Sequence, residues 1–255
     1  MSTLSDNEIR TRIQNGDLVK DGDERQIGPA CYELRMSSVY YDLTENGKRI
    51  DAVQLKSVLI KPGHRVVLIT QEKLNIPKNI IARVSSKGSL FSIGLSPVCT
   101  YADPGFSGNI GLVTQNLSDK YIEIPIGESL AKIDFSFLTS ASSSPYHGQH
   151  GFHTNIWPIK SHFQKSYEDV KLDTRVESEE AESFKILPAA TAKSIKFIQS
   201  RQKLIDGVIL GSLVINSVTL AYAIGDPAGV KTAIVVNLLS SAIAGAFSWF
   251  YRVKN

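Results

Sequence analysis

Residues 81–116 read IARVSSKGSLFSIGLSPVCTYADPGFSGNIGLVTQN, and the rest of the chain is organised around them. The stretch opens with alternating apolar residues, the period of a half-buried strand. It then passes through a Gly/Ser-rich turn carrying Lys87, with Ser86, Gly88 and Ser89 beside it. A cation, hydroxyls and closely approachable backbone N–H groups are what a phosphate requires. The same residues also suit a plain β-turn with a solvated lysine. Asp103-Pro104-Gly105-Phe106-Ser107-Gly108 is a turn signal, and Ile110 to Asn116 reads as a second strand.

Outward from this block, residues 27–140 read as many short strands. Val39 to Leu43 runs into Asn46-Gly47, a strong hairpin signal. Val53 to Ile60, Val66 to Ile69, Ile80 to Val84, Ile110 to Thr114, Tyr121 to Ile124 and Leu130 to Phe137 complete the set. Turn residues at short intervals predict a mainly β fold, a barrel or jelly roll. Ahead of it, Ser5-Asp6-Asn7-Glu8 has the spacing of a capping box, with Leu4 and Ile9 at the staple positions and Gly16 at the far end. A helix over roughly 6–15 follows from that.

The order and spacing of these motifs resemble the dCTP deaminase/dUTPase superfamily. Lys87-Gly88-Ser89-Leu90, Gly94-Leu95, Asp103 to Gly108 and Asn116 match its central block. Ile27-Gly28-Pro29-Ala30-Cys31-Tyr32-Glu33-Leu34-Arg35 and Tyr146-His147-Gly148-Gln149 extend the match from about residue 3 to 160. The resemblance implies a distorted, dUTPase-like β-barrel, assembled as a homotrimer, that binds a pyrimidine deoxynucleoside triphosphate. It assigns nucleotide contacts to Lys87, Gly88, Ser89, Thr100, Tyr101 and Gln149. Magnesium would arrive on the phosphates, with no metal held by the chain itself. It gives Asp103 either a structural role in the turn or, as in the dUTPase branch, the task of orienting the attacking water. Tyr32, Glu33 and Arg35 fall in a motif that mainly supports the sheet and, in the dUTPases, the metal; the resemblance favours the structural role here.

The departures are as informative. In the deaminases a glutamate on the strand after the Asp-Pro-Gly turn shuttles the proton, and here that position is Val113. An isopropyl group neither accepts nor delivers a proton. The family's first phosphate serine falls on Gly88 and a later arginine on Ser92. Seven residues separate Leu95 from Asp103, a shortened version of the hairpin that forms the pyrimidine pocket. Zinc-dependent deamination is excluded, because the chain has no His-x-Glu and no Pro-Cys-x-x-Cys. Three readings follow. The protein is a membrane-tethered dCTP deaminase, a dUTPase-like diphosphatase using Asp103, or a catalytically silent nucleotide sensor coupled to a membrane.

The membrane enters from the other end of the chain. Residues 207–225 (GVILGSLVINSVTLAYAIG) and 232–251 (TAIVVNLLSSAIAGAFSWFY) carry no charge. Runs of about 20 such residues cross a hydrocarbon core as helices, and Trp249, Phe250 and Tyr251 suit an interfacial belt. Lys193, Lys196, Arg201 and Lys203 precede the first run, and Arg252 and Lys254 follow the second, which predicts a two-pass protein with both ends cytoplasmic. Asn216, Asn237 and the serines at 212, 217, 240 and 241 suit helix–helix contacts or a pore lining. The predicted organisation is a nucleotide-binding domain over 1–163, an acidic linker or helix over 164–200, and the helical hairpin over 201–255. Within the first of these, residues 141–163 hold four of the chain's five histidines, and the superfamily's matching tail closes over the nucleotide.

Composition bounds the rest. With 255 residues there is room for one or two domains and a proper core. A net charge of +3 without a basic, aromatic-interleaved stripe gives no footprint for nucleic acid. The first ten residues are polar and predict no signal peptide. Cys31 and Cys99 fit no metal spacing and read as small buried groups in a reducing compartment.

Overall fold

The computed structural model describes residues 2–148, 152–225 and 229–253. Residues 1–161 and 162–255 form two compact units.

The first unit is mainly β. Its elements are α1 (Asp6–Gln14), β1 (Leu18–Lys20), β2 (Ile27–Gly28), β3 (Cys31–Asp42), β4 (Lys48–Asp51), β5 (Ser57–Ile60), β6 (Arg65–Thr70), β7 (Lys73–Asn75), β8 (Ile80–Ser86), α2 (Gly88–Ser92), β9 (Cys99–Ala102), β10 (Ser107–Gly108), β11 (Gly111–Gln115), β12 (Ile122–Pro125) and β13 (Ser129–Phe137). The main sheet runs β11-β6-β3-β13-β8-β9, with β2 and β4 also paired to β3. Two smaller sheets, β1-β7-β10 and β12-β5, complete the wall. The two ends of the main sheet approach each other. Leu95, on the way into β9, forms a bridge to Asn116 just past β11. Ser96 N donates to Gln115 O, and Leu117 N donates to Gly94 O. The result is a nearly closed barrel.

The long strand β3 shows why these residues alternate as they do. Its first half pairs with β13 and its second half with β6, and the register slips between Met36 and Tyr40. Tyr32, Leu34 and Met36 point into the barrel, where Leu68, Val84, Leu112, Ile133 and Phe135 meet them, all buried. Beyond the slip, Val39 to Asp42 are buried without alternation. There the outer face is covered too, because Phe152 and Trp157 pack on Val39, Tyr41, Val67 and Ile69. The tail after the last strand therefore lies partly against the barrel wall. Trp157 sits where a side chain on Gly111 would be, 2.5 Å from the position of its Cβ. Only glycine admits the indole there.

Helix α1 forms as predicted, with Leu4, Ile9 and Ile13 buried. Each isoleucine contributes roughly 1.5–3 kcal/mol by leaving water. The expected capping box does not form. Ser5 holds the N-cap position without a side-chain bond, and Glu8 instead accepts from Arg12 Nε at 2.8 Å. An i,i+4 ion pair has displaced the reach-back. The predicted strand over Val53 to Ile60 is shorter than expected. Leu55 N and Lys56 N both donate to Ala52 O, a turn that leaves only Ser57–Ile60 extended. Cys31 is half-buried and Cys99 exposed, both as free thiols, so Cys99 is not the buried group its chemistry suggested.

The second unit is helical: α3 (Tyr167–Val170), α4 (Glu179–Ile186), α5 (Ala189–Gly225) and α6 (Val230–Val253). Helix α4 ends before Pro188, as a proline requires. Helix α5 then runs 37 residues without interruption, carrying the basic stretch Lys193 to Lys203 straight into the uncharged run. By length and composition α5 and α6 are each able to cross a membrane. They pair through polar side chains. Asn216 Oδ1 accepts from Ser240 Oγ, Thr219 Oγ1 donates to Asn237 Oδ1 at 2.5 Å, and Asn216 Nδ2 donates to Ser241 Oγ at 3.4 Å. Ser217 takes no part and bonds Leu213 O of its own helix.

Candidate functional site

The hairpin β8–β9 positions the predicted nucleotide contacts. Its register sets Ser85 opposite Cys99, Val84 opposite Thr100, Arg83 opposite Tyr101 and Ala82 opposite Ala102. Alternation then turns Tyr101 outward, 54% exposed, and leaves Thr100 half-buried. Lys87 follows the end of β8, where its N–H donates to Leu130 O. Gly88 and Ser89 open the short α2 and are exposed. No atom lies within 4 Å of the Cβ that a serine at 88 would add, so packing does not demand this glycine.

The Lys87 ammonium is not free in solvent. It donates to Glu33 Oε2 at 2.9 Å, and both side chains are about one-quarter exposed. The same carboxylate oxygen accepts from Ser129 Oγ at 2.8 Å, and Lys132 Nζ stands 4.0 Å from Oε1. The Lys87 ammonium, with Ser129 and Lys132 behind it, holds the Glu33 carboxyl below its ordinary value. Three elements meet here: β3 supplies Glu33, the end of β8 supplies Lys87, and β13 supplies Ser129 and Lys132.

Asp103 lies elsewhere. Its carbonyl accepts from Phe106 N at 2.9 Å, and Gly105 takes φ +89°, so Asp103 to Phe106 is a tight turn that requires glycine at its third position. Phe106 plugs into the barrel and Tyr146 stacks on it at 5.4 Å. The Asp103 side chain is exposed. Asp103 follows the strand end opposite the start of β8, while Lys87 follows its finish. At 3.3 Å per residue the two are separated by about 20 Å along the hairpin. The chain therefore brings Lys87, Gly88 and Ser89 together, sets Thr100 and Tyr101 along the adjoining strand, and leaves Asp103 at the far end. Gln149 lies outside the described residues.

Val113 is on the outer face of β11, 46% exposed and opposite Val67 of β6. Its outward neighbours on the strand are Gly111, under Trp157, and Gln115, whose amide donates to Gly63 O at 3.1 Å. None of these offers a carboxylate.

The sequence reading named Tyr32, Glu33 and Arg35 but not the partners that hold them, Asp23, Glu72, Ser129 and Lys132. Arg35 is held by Glu72, whose side chain is 3% exposed. The guanidinium Nε donates to Glu72 Oε1 at 2.7 Å, and Arg35 N donates to Oε2 at 2.7 Å. Tyr32 is wholly buried, its hydroxyl accepting from Asp23 N, and burial pushes its phenol up. Both support the sheet, as the resemblance implied. The Lys132 and Ser129 contacts to Glu33 were not anticipated, because the pairing of β13 with β3 is not written in either strand alone. A second charged group, Asp42, Glu45 and His64, brings its ligand atoms within 4.8 Å of one another. Asp42 there accepts from Thr44 N, Glu45 N and His64 Nδ1, and Glu45 pairs with Lys61, so the group ties two turns together.

The profile of the dCTP deaminase-like family matches residues 3–138. A dCTP deaminase of Thermococcus kodakarensis is 30% identical over 147 residues, covering 58% of this chain and 90% of the relative. Among solved structures, the 2'-deoxycytidine 5'-triphosphate deaminase of Agrobacterium tumefaciens aligns at 20% identity with a TM-score of 0.46. That alignment covers 53% of this chain and 47%, about half, of the other. The EIAV dUTPase aligns at 19% identity with a TM-score of 0.35, over 51% of this chain and 90% of its own.

Proposed function

The chain belongs to the dCTP deaminase-like family, and from that premise we propose that it is a nucleotide-binding, non-deaminating member tethered to a membrane. The observation that carries this reading is Val113. By the resemblance, the strand after the Asp103 turn would present the deaminases' proton shuttle at this position, and the side chain there is an alkyl group facing outward between Gly111 and Gln115. The phosphate-binding cation remains as Lys87, with Ser89 beside it. The ligand is a pyrimidine deoxynucleoside triphosphate, with magnesium on its phosphates.

The separation of Lys87 from Asp103 supports a multimeric site. A nucleotide that used both would draw them from two copies of the chain, as a homotrimer provides. The helical unit is the tether. Its apolar faces suit lipid, and the cations from Lys193 to Lys203 and at Arg252 and Lys254 keep both ends on the cytoplasmic side. A sensor with a membrane hairpin acts if its ligand favours one state of the assembly over another.

The test uses the full chain in detergent with dCTP, dUTP and Mg²⁺, following both binding and products. Saturable binding of a triphosphate, lost in Lys87→Ala, with no dUTP or ammonia from dCTP, is expected. Conversion of dCTP would refute the non-deaminating assignment. Release of dUMP and diphosphate from dUTP would transfer the chemistry to the exposed Asp103.

A further inference from the structure

The phosphate-binding lysine already holds an anion, and that anion is the chain's own. Glu33 Oε2 accepts from Lys87 Nζ at 2.9 Å and from Ser129 Oγ at 2.8 Å, while Lys132 Nζ lies 4.0 Å from Oε1. Two ammonium groups and a hydroxyl, drawn from separate elements, converge on one carboxylate. Their formal charges sum to +1 once Glu33 is counted against the two lysines. Lys132 is 53% exposed and reaches the carboxylate at the edge of ion-pair distance, so it is open to a ligand from solvent.

We propose that Glu33 is a built-in competitor of the phosphate site, and that Lys132 and Ser129 are phosphate-binding residues alongside Lys87. This rests on reading Lys87 as the phosphate cation. An incoming phosphoryl group replaces the carboxylate on the same donors, and Glu33 is left without its partners. The displacement carries an electrostatic cost that a singly or doubly charged phosphate repays poorly. A triphosphate has more charge and spans more donors, so it engages both lysines at once. Glu33 thereby favours triphosphates over monophosphates. A purely structural role makes the opposite prediction. If Glu33 only pins the turn, removing its charge loosens Lys87 and leaves phosphate affinity unchanged or weaker.

The probes are inorganic triphosphate and inorganic phosphate, titrated calorimetrically into the full chain at fixed ionic strength. Glu33→Gln keeps the shape and an acceptor for Ser129 while removing the charge. It is expected to bind triphosphate roughly fivefold more tightly, the scale of one partly exposed ion pair, and to narrow the preference over phosphate. Adding Lys132→Gln is expected to reverse that gain. Equal or weaker triphosphate binding by Glu33→Gln overturns the proposal while leaving the Lys87 site standing if the natural chain binds. Absence of binding by both chains overturns the site and the proposal together. Should Glu33→Gln fail to fold, Lys132→Gln alone decides, since the ion pair it removes is the long one, at 4.0 Å from Glu33 Oε1. A several-fold loss of triphosphate affinity supports the proposal, and unchanged affinity refutes it.

Discussion

The barrel unit and the helical unit use the same apolar residues in opposite ways. Leu68, Ile69 and Leu74 of the barrel are 2% exposed or less, whereas Leu210, Leu213 and Leu238 of the helices are 64%, 57% and 67% exposed. The barrel makes its own apolar phase by folding the chain around itself. Soluble monomers rarely expose contiguous apolar patches beyond a few hundred Å², and the helices leave these leucines uncovered. Polarity is inverted as well. In the barrel the charged pair Arg35–Glu72 lies at the wall, while in the hairpin Asn216, Thr219, Asn237 and Ser240 face one another between the helices. Burial is thus a property of the surroundings and cannot be assigned to a leucine from its identity. For the helices, the surroundings we propose are lipid.

The strongest way to break this contrast is at Arg35. Arg35→Ala strands the Glu72 carboxylate in the barrel wall, and we expect a loss of about 4 kcal/mol in the unfolding free energy of the barrel, measured by denaturant titration. A loss below 1 kcal/mol would mean that Glu72 reaches water and that the wall is looser than described. Next comes Leu213→Arg near the middle of the first uncharged run. If lipid covers that face, insertion becomes less favourable by about 3 kcal/mol, and the protein shifts out of the alkali-resistant membrane fraction. Unchanged fractionation would contradict a bilayer around α5.

The Lys87–Glu33 pair sharpens the comparison more gently. Because the folded-state carboxyl is held below its ordinary value of 4.5, the pair's contribution is fully present above that pH. It fades as pH falls through the lowered value, when Glu33 takes a proton. The part-exposed pair contributes at most about 1 kcal/mol. In Glu33→Gln the barrel's stability curve below pH 4.5 should flatten relative to the natural chain, and parallel curves would assign the acid loss to other carboxylates. The smallest effect is expected at Asn216→Val. Interhelical bonds in lipid average about 0.6 kcal/mol, so hairpin stability in detergent should fall only slightly. A collapse of the hairpin would make Asn216 its main fastener.

Much of the barrel was legible in the sequence because its signals are local. Asn46-Gly47 turns the chain, with φ of 57° and 71°. Asp103-Pro104-Gly105-Phe106 makes the turn its composition demands. Alternation marked β8, β11 and β13. What failed were the places where a competing contact intervened: Arg12 captured Glu8 from the cap at Ser5, and the turn at Ala52 shortened the strand before Ile60. The site was legible in its parts and not in its arrangement. Lys87 and Glu33 were each singled out, yet they lie 54 positions apart and meet only because β13 brings β3 and β8 to its two sides.

By itself the sequence determined the turns at Asn46-Gly47 and Asp103 to Phe106, the lysine-bearing loop, the valine at position 113 and the two uncharged runs. All of these are properties of neighbours along the chain. Only the tertiary structure decided that Lys87, Ser129 and Lys132 surround Glu33, that Asp103 stands at the far end of the hairpin, and that Trp157 covers Gly111. The physical reason is register: a strand's pattern repeats every two residues, so it shows which side chains share a face and never which partner strand stands opposite.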